Sequence, residues 1–265
     1  QRSGKTTLLS SVFQCFQQGH FANYSFYESN TLMGLERRCW RSRTVSMGLK
    51  PDTPRTSIGN QKYIHLSLKK KPSSNPIDLL FCDLSGEIFE PAVNSTEACA
   101  KILELGRIDH LSLLIDGNEL RRIDTRHAAQ RDARLLLRNF IDSGELSPTT
   151  PIEIIFSKID LFDVPPPDGI GKEETALYAS SEETKLFVEQ VKNDIVRDFA
   201  SKKLRIRFFD TVASPSSKLL GYGLEKLLPF WVEEVPPPQP RLTFTPQEFP
   251  SREIDKFTRR EVFRK

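Results

Sequence analysis

Gln1-Arg2-Ser3-Gly4-Lys5-Thr6-Thr7 decides the reading of this chain, through the pattern it completes and the segment it opens. It matches the tail of G-x-x-x-x-G-K-[ST], a glycine-rich loop that runs into a helix. Thr6 to Phe16 (TTLLSSVFQCF) then carries apolar residues at helical spacing, as the helix behind such a loop should. The first glycine of the pattern, and the strand expected to feed it, fall upstream of residue 1. With no initiating Met, the chain reads as a fragment.

Working outward, three more stretches each follow an apolar run, where a strand end would present a loop. They are Asp83-Leu84-Ser85-Gly86-Glu87, Ser157-Lys158-Ile159-Asp160 and Ala213-Ser214. The runs before them, Ile77 to Cys82, Ile152 to Phe156 and Leu204 to Phe209, read as strands, as do Tyr63 to Leu68 and His110 to Ile115. Lys69 to Pro76 reads as a hairpin turn. Helices are expected over Ala98 to Leu105, about Thr125 to Ser143, Glu182 to Ser201 and Gly223 to Val235, the last interrupted or kinked near Pro229. The long charged helix at 182–201 carries an apolar stripe at Leu186, Val188, Val191, Ile195 and Phe199. Strands alternating with helices predict a mostly parallel α/β sheet with helices on both faces, and the strands at 63–82 add one antiparallel pair.

Residues 17 to 60 are polar and resist assignment, with aromatics at Phe21, Tyr24, Phe26 and Tyr27 and a basic stretch at Arg37, Arg38, Arg41 and Arg43. From Pro236 the chain turns proline-rich and then basic. The expected division is therefore a domain over 1–235 and a tail over 236–265.

The 265 residues suffice for one substantial core, and 38% hydrophobic with 28% charged residues suits a soluble globular protein. No run approaches the roughly 18 apolar residues of a membrane span. Cys15, Cys39, Cys82 and Cys99 lie far apart with no C-x-x-C pair, which argues against a disulfide framework or metal cluster and for buried thiols in a reducing cytoplasm. The four histidines share no spacing and read as packed or surface residues. A net charge of +3 gives no case for nucleic acid, and the Arg37 to Arg43 stretch reads first as a solvated helix face.

The motifs carry a consistent chemistry. Lys5 would place a point charge on the β and γ phosphates of a nucleotide, and Gly4 would let the backbone approach them. Thr6 offers a hydroxyl to Mg²⁺, while amides at the helix start, Thr7 among them, add an anion site. Asp83 after its strand could reach the same ion through water, and the Gly86 amide the γ-phosphate. Asp160 could accept from guanine N1 and the exocyclic amine, a donor pair adenine lacks on that edge. Lys158 would lay its stem over the base. Each motif alone also suits an ordinary turn, but three in order at strand ends argue against coincidence.

Together these residues resemble a Ras-like P-loop GTPase of the translation-factor class, over about residues 1 to 235. Asp83 to Phe89, the apolar run ending Ile115-Asp116-Gly117 and the enlarged region before the hairpin are similar, more narrowly, to the bacterial double-GTPase family predicted for GTPase-centred conflict systems. The resemblance implies a guanine-nucleotide switch that hydrolyses GTP with Mg²⁺, in such a system, with a protein partner or neighbouring GTPase domain. It assigns Gly4, Lys5, Thr6, Thr7 and Gly86 to phosphate and Ser157, Lys158, Asp160, Ala213 and Ser214 to guanine. For Mg²⁺ it implies Thr6, Asp83 and a first-switch threonine, Thr56 or the nearby Thr53. Ser157 stands where Asn is usual and braces the loop less well, and Pro215 stands where Lys is common. Glu87 occupies the place of the water-orienting Gln, where its carboxylate meets repulsion from the γ-phosphate. Glu87 is the catalytic candidate, with Arg55 as an arginine finger in cis or simply a solvated arginine. The rival readings are a hydrolytically inert nucleotide-bound scaffold and a P-loop phosphotransferase with Arg37 to Arg43 as its lid.

Overall fold

A computed structural model describes residues 4–34, 36, 62–70, 72–102, 104–167, 169, 171–213 and 221–232. Thr53, Arg55, Thr56, Ser214, the basic stretch at 37–43 and the tail over 236–265 lie outside the described residues.

Among the described residues there are two three-stranded sheets. One is antiparallel, in the order β1 (Ser25–Glu28), β2 (Lys62–Lys69), β3 (Ile77–Asp83), and the other is parallel, in the order β4 (Leu111–Asp116), β5 (Ile152–Ser157), β6 (Ile206–Asp210). The expected hairpin pairs in continuous register, Lys62 with Asp83 through Leu68 with Ile77. The expectation of a mostly parallel sheet with one antiparallel pair needs correction among the described residues, because β1 adds a third antiparallel strand. Its four residues are too few to show a period of two, and it hides in the aromatic stretch that resisted assignment.

The helices are α1 (Lys5–Gln17), α2 (Phe89–Asn94), α3 (Thr96–Ala100), α4 (Gly117–Arg121), α5 (Arg126–Asp142), α6 (Lys172–Thr175), α7 (Ser181–Phe199) and α8 (Leu224–Trp231). Alternation along β5 sorts them onto its two faces. Ile152, Ile154 and Phe156 pack with Leu136, Leu137 and Phe140 of α5 and Val188, Val191 and Ile195 of α7. Ile155 faces the other way, into a cluster with Leu8 and Val12 of α1 and Leu224, Leu227 and Leu228 of α8. Helices thus cover both faces of the parallel sheet, and every residue of β5 is buried.

On α7 Val188, Val191, Ile195 and Phe199 are buried as the stripe predicts, and one position differs. Leu186 is 66% exposed and Phe187 takes its place in the core. A capping box of Ser180 and Glu183 starts this helix, and α8 runs on through Pro229 without a break. Cys15, Cys82 and Cys99 are free; burial pushes the Cys15 thiol up to about 11 and the Cys82 thiol up to about 12, so both are held as inert thiols. Among the described residues no helix is long and apolar enough to cross a membrane.

Candidate functional site

Gly4 adopts a left-handed conformation, φ +83°, and supplies no side chain to cap α1, while no acidic residue stands in the helix's first turn. Amides at a helix start of this kind suit an anion. Lys5 opens the helix half-buried. Burial pulls its ammonium below the ordinary lysine range, and the charge of Asp83 pulls it part of the way back.

Asp83 ends β3 at 2% exposure and accepts a hydrogen bond from Thr6 Oγ1 at 3.0 Å, a contact spanning 77 positions of sequence. Thus the hydroxyl and carboxylate assigned to the same ion from sequence meet in space. Both are hard oxygen donors, the chemistry that suits Mg²⁺. Beyond Asp83 the chain turns through a short 3₁₀ segment, Gly86–Ile88, capped by Ser85, whose Oγ accepts from the Glu87 amide at 3.4 Å. Glu87 is exposed.

The second half of the site is built on the ends of β5 and β6. Lys158 is left-handed, φ +57°, and its Nζ donates to Asp116 Oδ2 at 2.6 Å. Its Cε lies 3.9 Å from where a Cβ on Gly4 would stand, so the lysine stem runs beside the start of α1. Asp160 follows in the 3₁₀ segment Ile159–Asp163, half-buried. Burial raises its carboxyl above the usual range, against the opposing pull of its own backbone amide and of Lys158. Ala213, beyond β6, is buried, and its carbonyl accepts from Ser11 Oγ of α1 at 2.6 Å.

Helix α1 is accordingly the common element. Through Thr6 it meets β3, beside Gly4 it meets the Lys158 loop, and through Ser11 it meets the loop after β6. The structure brings Gly4, Lys5, Thr6, Asp83, Lys158 and Ala213 together, with Gly86, Glu87 and Asp160 on the same loops. Ser157 is buried and donates to Ile115 O at 3.3 Å, along the neighbouring strand. Thr7 lies in the first turn of α1.

Three residues of this neighbourhood escaped sequence reasoning in any site role. Ser11 was hidden because a serine inside an amphipathic helix carries no signal. Asp116 and Gly117 were visible as the end of an apolar run, and their closeness to Lys158, 42 positions away, was not.

A family model described as Double-GTPase 2 matches residues 1–232 of the chain. No curated protein and no solved structure matches it.

Proposed function

The chain belongs to the double-GTPase 2 family, and from that premise we propose that it is a guanine-nucleotide switch which hydrolyses GTP with Mg²⁺. Membership itself suggests a GTP-binding domain. The observation that carries the finer reading is the Thr6 Oγ1 to Asp83 Oδ2 contact of 3.0 Å beside the Lys5 ammonium. Thr6 and Asp83 would hold the ion, joined from the first switch by Thr56 or Thr53. When bound, Mg²⁺ would neutralise charge that develops on the phosphates during transfer.

The chain's own groups do the rest. Lys5 and the amides from Gly4 to Thr7 hold the β and γ phosphates, and the Gly86 amide meets the γ-phosphate. Asp160 accepts from the two guanine donors, Lys158 covers the base, and the Ala213–Ser214 backbone meets the guanine oxygen. Glu87, or Arg55, acts on the attacking water. A P-loop arrangement is supported by the pairing of β3 and β4 on one side only among the described strands. Trp231 lies between them, its ring 5.0 Å from that of Phe81 and its Nε1 donating to Ser112 Oγ at 3.0 Å.

The second reading, an inert nucleotide-bound scaffold, is favoured by the exposure of Glu87. A place in a bacterial conflict system, with a neighbouring GTPase domain as partner, rests on the family resemblance and is tested by co-purification from the native host. Titration calorimetry with GTP, GDP and ATP, with and without Mg²⁺, tests the reading itself. We expect preference for guanine nucleotides, tighter GTP binding with Mg²⁺, and loss of that Mg²⁺ dependence in Thr6→Ala with GDP binding largely kept. Equal affinity for ATP and GTP would overturn it.

A further inference from the structure

Asp116 closes β4 at 8% exposure and divides its two oxygens between different duties. Oδ1 accepts from the Asn118 amide at 2.9 Å and so caps α4, while Oδ2 accepts from Lys158 Nζ at 2.6 Å. Gly117 behind it lies against the backbone of the same loop. A Cβ there would stand 2.3 Å from Ser157 O and 3.2 Å from Lys158 O, so only glycine permits this approach. Lys158 itself keeps a left-handed backbone that a residue with a side chain adopts only where its surroundings enforce it.

The hydroxyl of Ser157 donates to Ile115 O at 3.3 Å, along the sheet. The Lys158 stem runs beside Gly4, and Asp116 accepts from the ammonium at its end. We infer that Asp116, backed by Gly117, is a positioning residue of the base-recognition loop, fixing Lys158 between the guanine face and the phosphate loop. This rests on the guanine-nucleotide reading above. Asp116 touches no nucleotide in this scheme and acts through Lys158 alone.

The test is a double-mutant cycle on GDP affinity, measured by titration calorimetry in the full chain. Asp116→Ser keeps an oxygen able to cap α4 but is too short to hold Lys158. It should weaken GDP about tenfold, as should Lys158→Ala, and the double variant should be no weaker than Lys158→Ala alone. Asp116→Asn, whose single amide oxygen can accept from only one of the two partners, should recover the affinity only in part. A merely structural Asp116 would instead give losses that add in the double variant, or an equal fall in melting temperature for Ser and Asn with affinity unchanged. Either result overturns the inference. Failure of the wild-type chain to bind any guanine nucleotide defeats the guanine reading and takes this one with it, and it is visible before any variant is made.

Discussion

In the proposed guanine site Asp160 would serve its ligand at the expense of the unliganded fold. Its carboxyl sits above the ordinary range, burial being the main cause, so the native state holds that proton more tightly than the unfolded chain does. For a carboxyl shifted upward, the contribution to stability falls as pH rises from the unfolded value through the native one. At neutral pH the ionised group is therefore a burden until guanine donors meet it. Asp160→Asn should leave the melting temperature of the nucleotide-free protein unchanged or higher, while GTP affinity drops by roughly 2–4 kcal/mol. Xanthine nucleotide should recover part of the binding, and GTP affinity in the wild type should already weaken on acidification above the usual carboxylate range. A variant that loses stability and affinity together would make Asp160 structural. Glu87 divides the two functional readings. If it orients water, Glu87→Ala slows single-turnover hydrolysis about 10²-fold with affinity nearly intact. A faster Glu87→Gln marks a carboxylate that repels the γ-phosphate, and equal rates for wild type, Ala and Gln move the chemistry to Arg55 or a partner.

Among the elements, two glycines hold helix starts against strand ends that carry the proposed base loops. Gly117 does so at α4, and Gly223 at α8, where φ is +78° and a Cβ would stand 2.0 Å from Asp210 O. Alanine at either should lower stability by about 1–3 kcal/mol or more through strain, read by urea denaturation, and should weaken nucleotide binding as the strand end shifts. Gly144 supplies the control, since at φ +74° it has open space around it. Gly144→Ala should cost only about 1–2 kcal/mol and leave binding alone. Sequence patterning located elements in proportion to how completely their surroundings constrain them. β5 was legible because both its faces are covered, leaving six consecutive buried residues. β1 was not, because four residues on a sheet edge with exposed Tyr27 carry no periodic mark. Helix α2, six residues with Pro91 inside, was likewise too short for a 3.6-residue period to register. On α7, two adjacent apolar residues competed for one core position, and only packing decides between Leu186 and Phe187.

For the whole molecule, the motifs stand at the carboxyl ends of strands and were legible because each follows an apolar run, whereas the pairing that gathers them is long-range and leaves no local trace. The opposite ends of the parallel strands hold a different kind of polar cluster, one no motif announced. Glu153, the second residue of β5, is fully buried and accepts from Ser112 Oγ at 2.6 Å, while His110 Nδ1 lies 2.7 Å from its other oxygen. Ser112 Oγ in turn accepts from Trp231 Nε1 at 3.0 Å, so the network joins β4, β5 and α8 and fixes how the last helix sits on the sheet. A buried carboxylate of this kind is tolerable only while its donors stay in place. Glu153→Ala leaves those half-buried partners without their acceptor and should cost about 1–3 kcal/mol in chemical denaturation, with Glu153→Gln losing less because its amide oxygen still accepts. GDP affinity should stay at the wild-type value for both variants, since register pairs Glu153 with Ser112 at the start of the strands and Ser157 with Asp116 at their end. An affinity change in Glu153→Gln without loss of stability would mean that α8 transmits the state of this network to the loop at Ala213, and the separation of a stabilising end from a binding end would then fail.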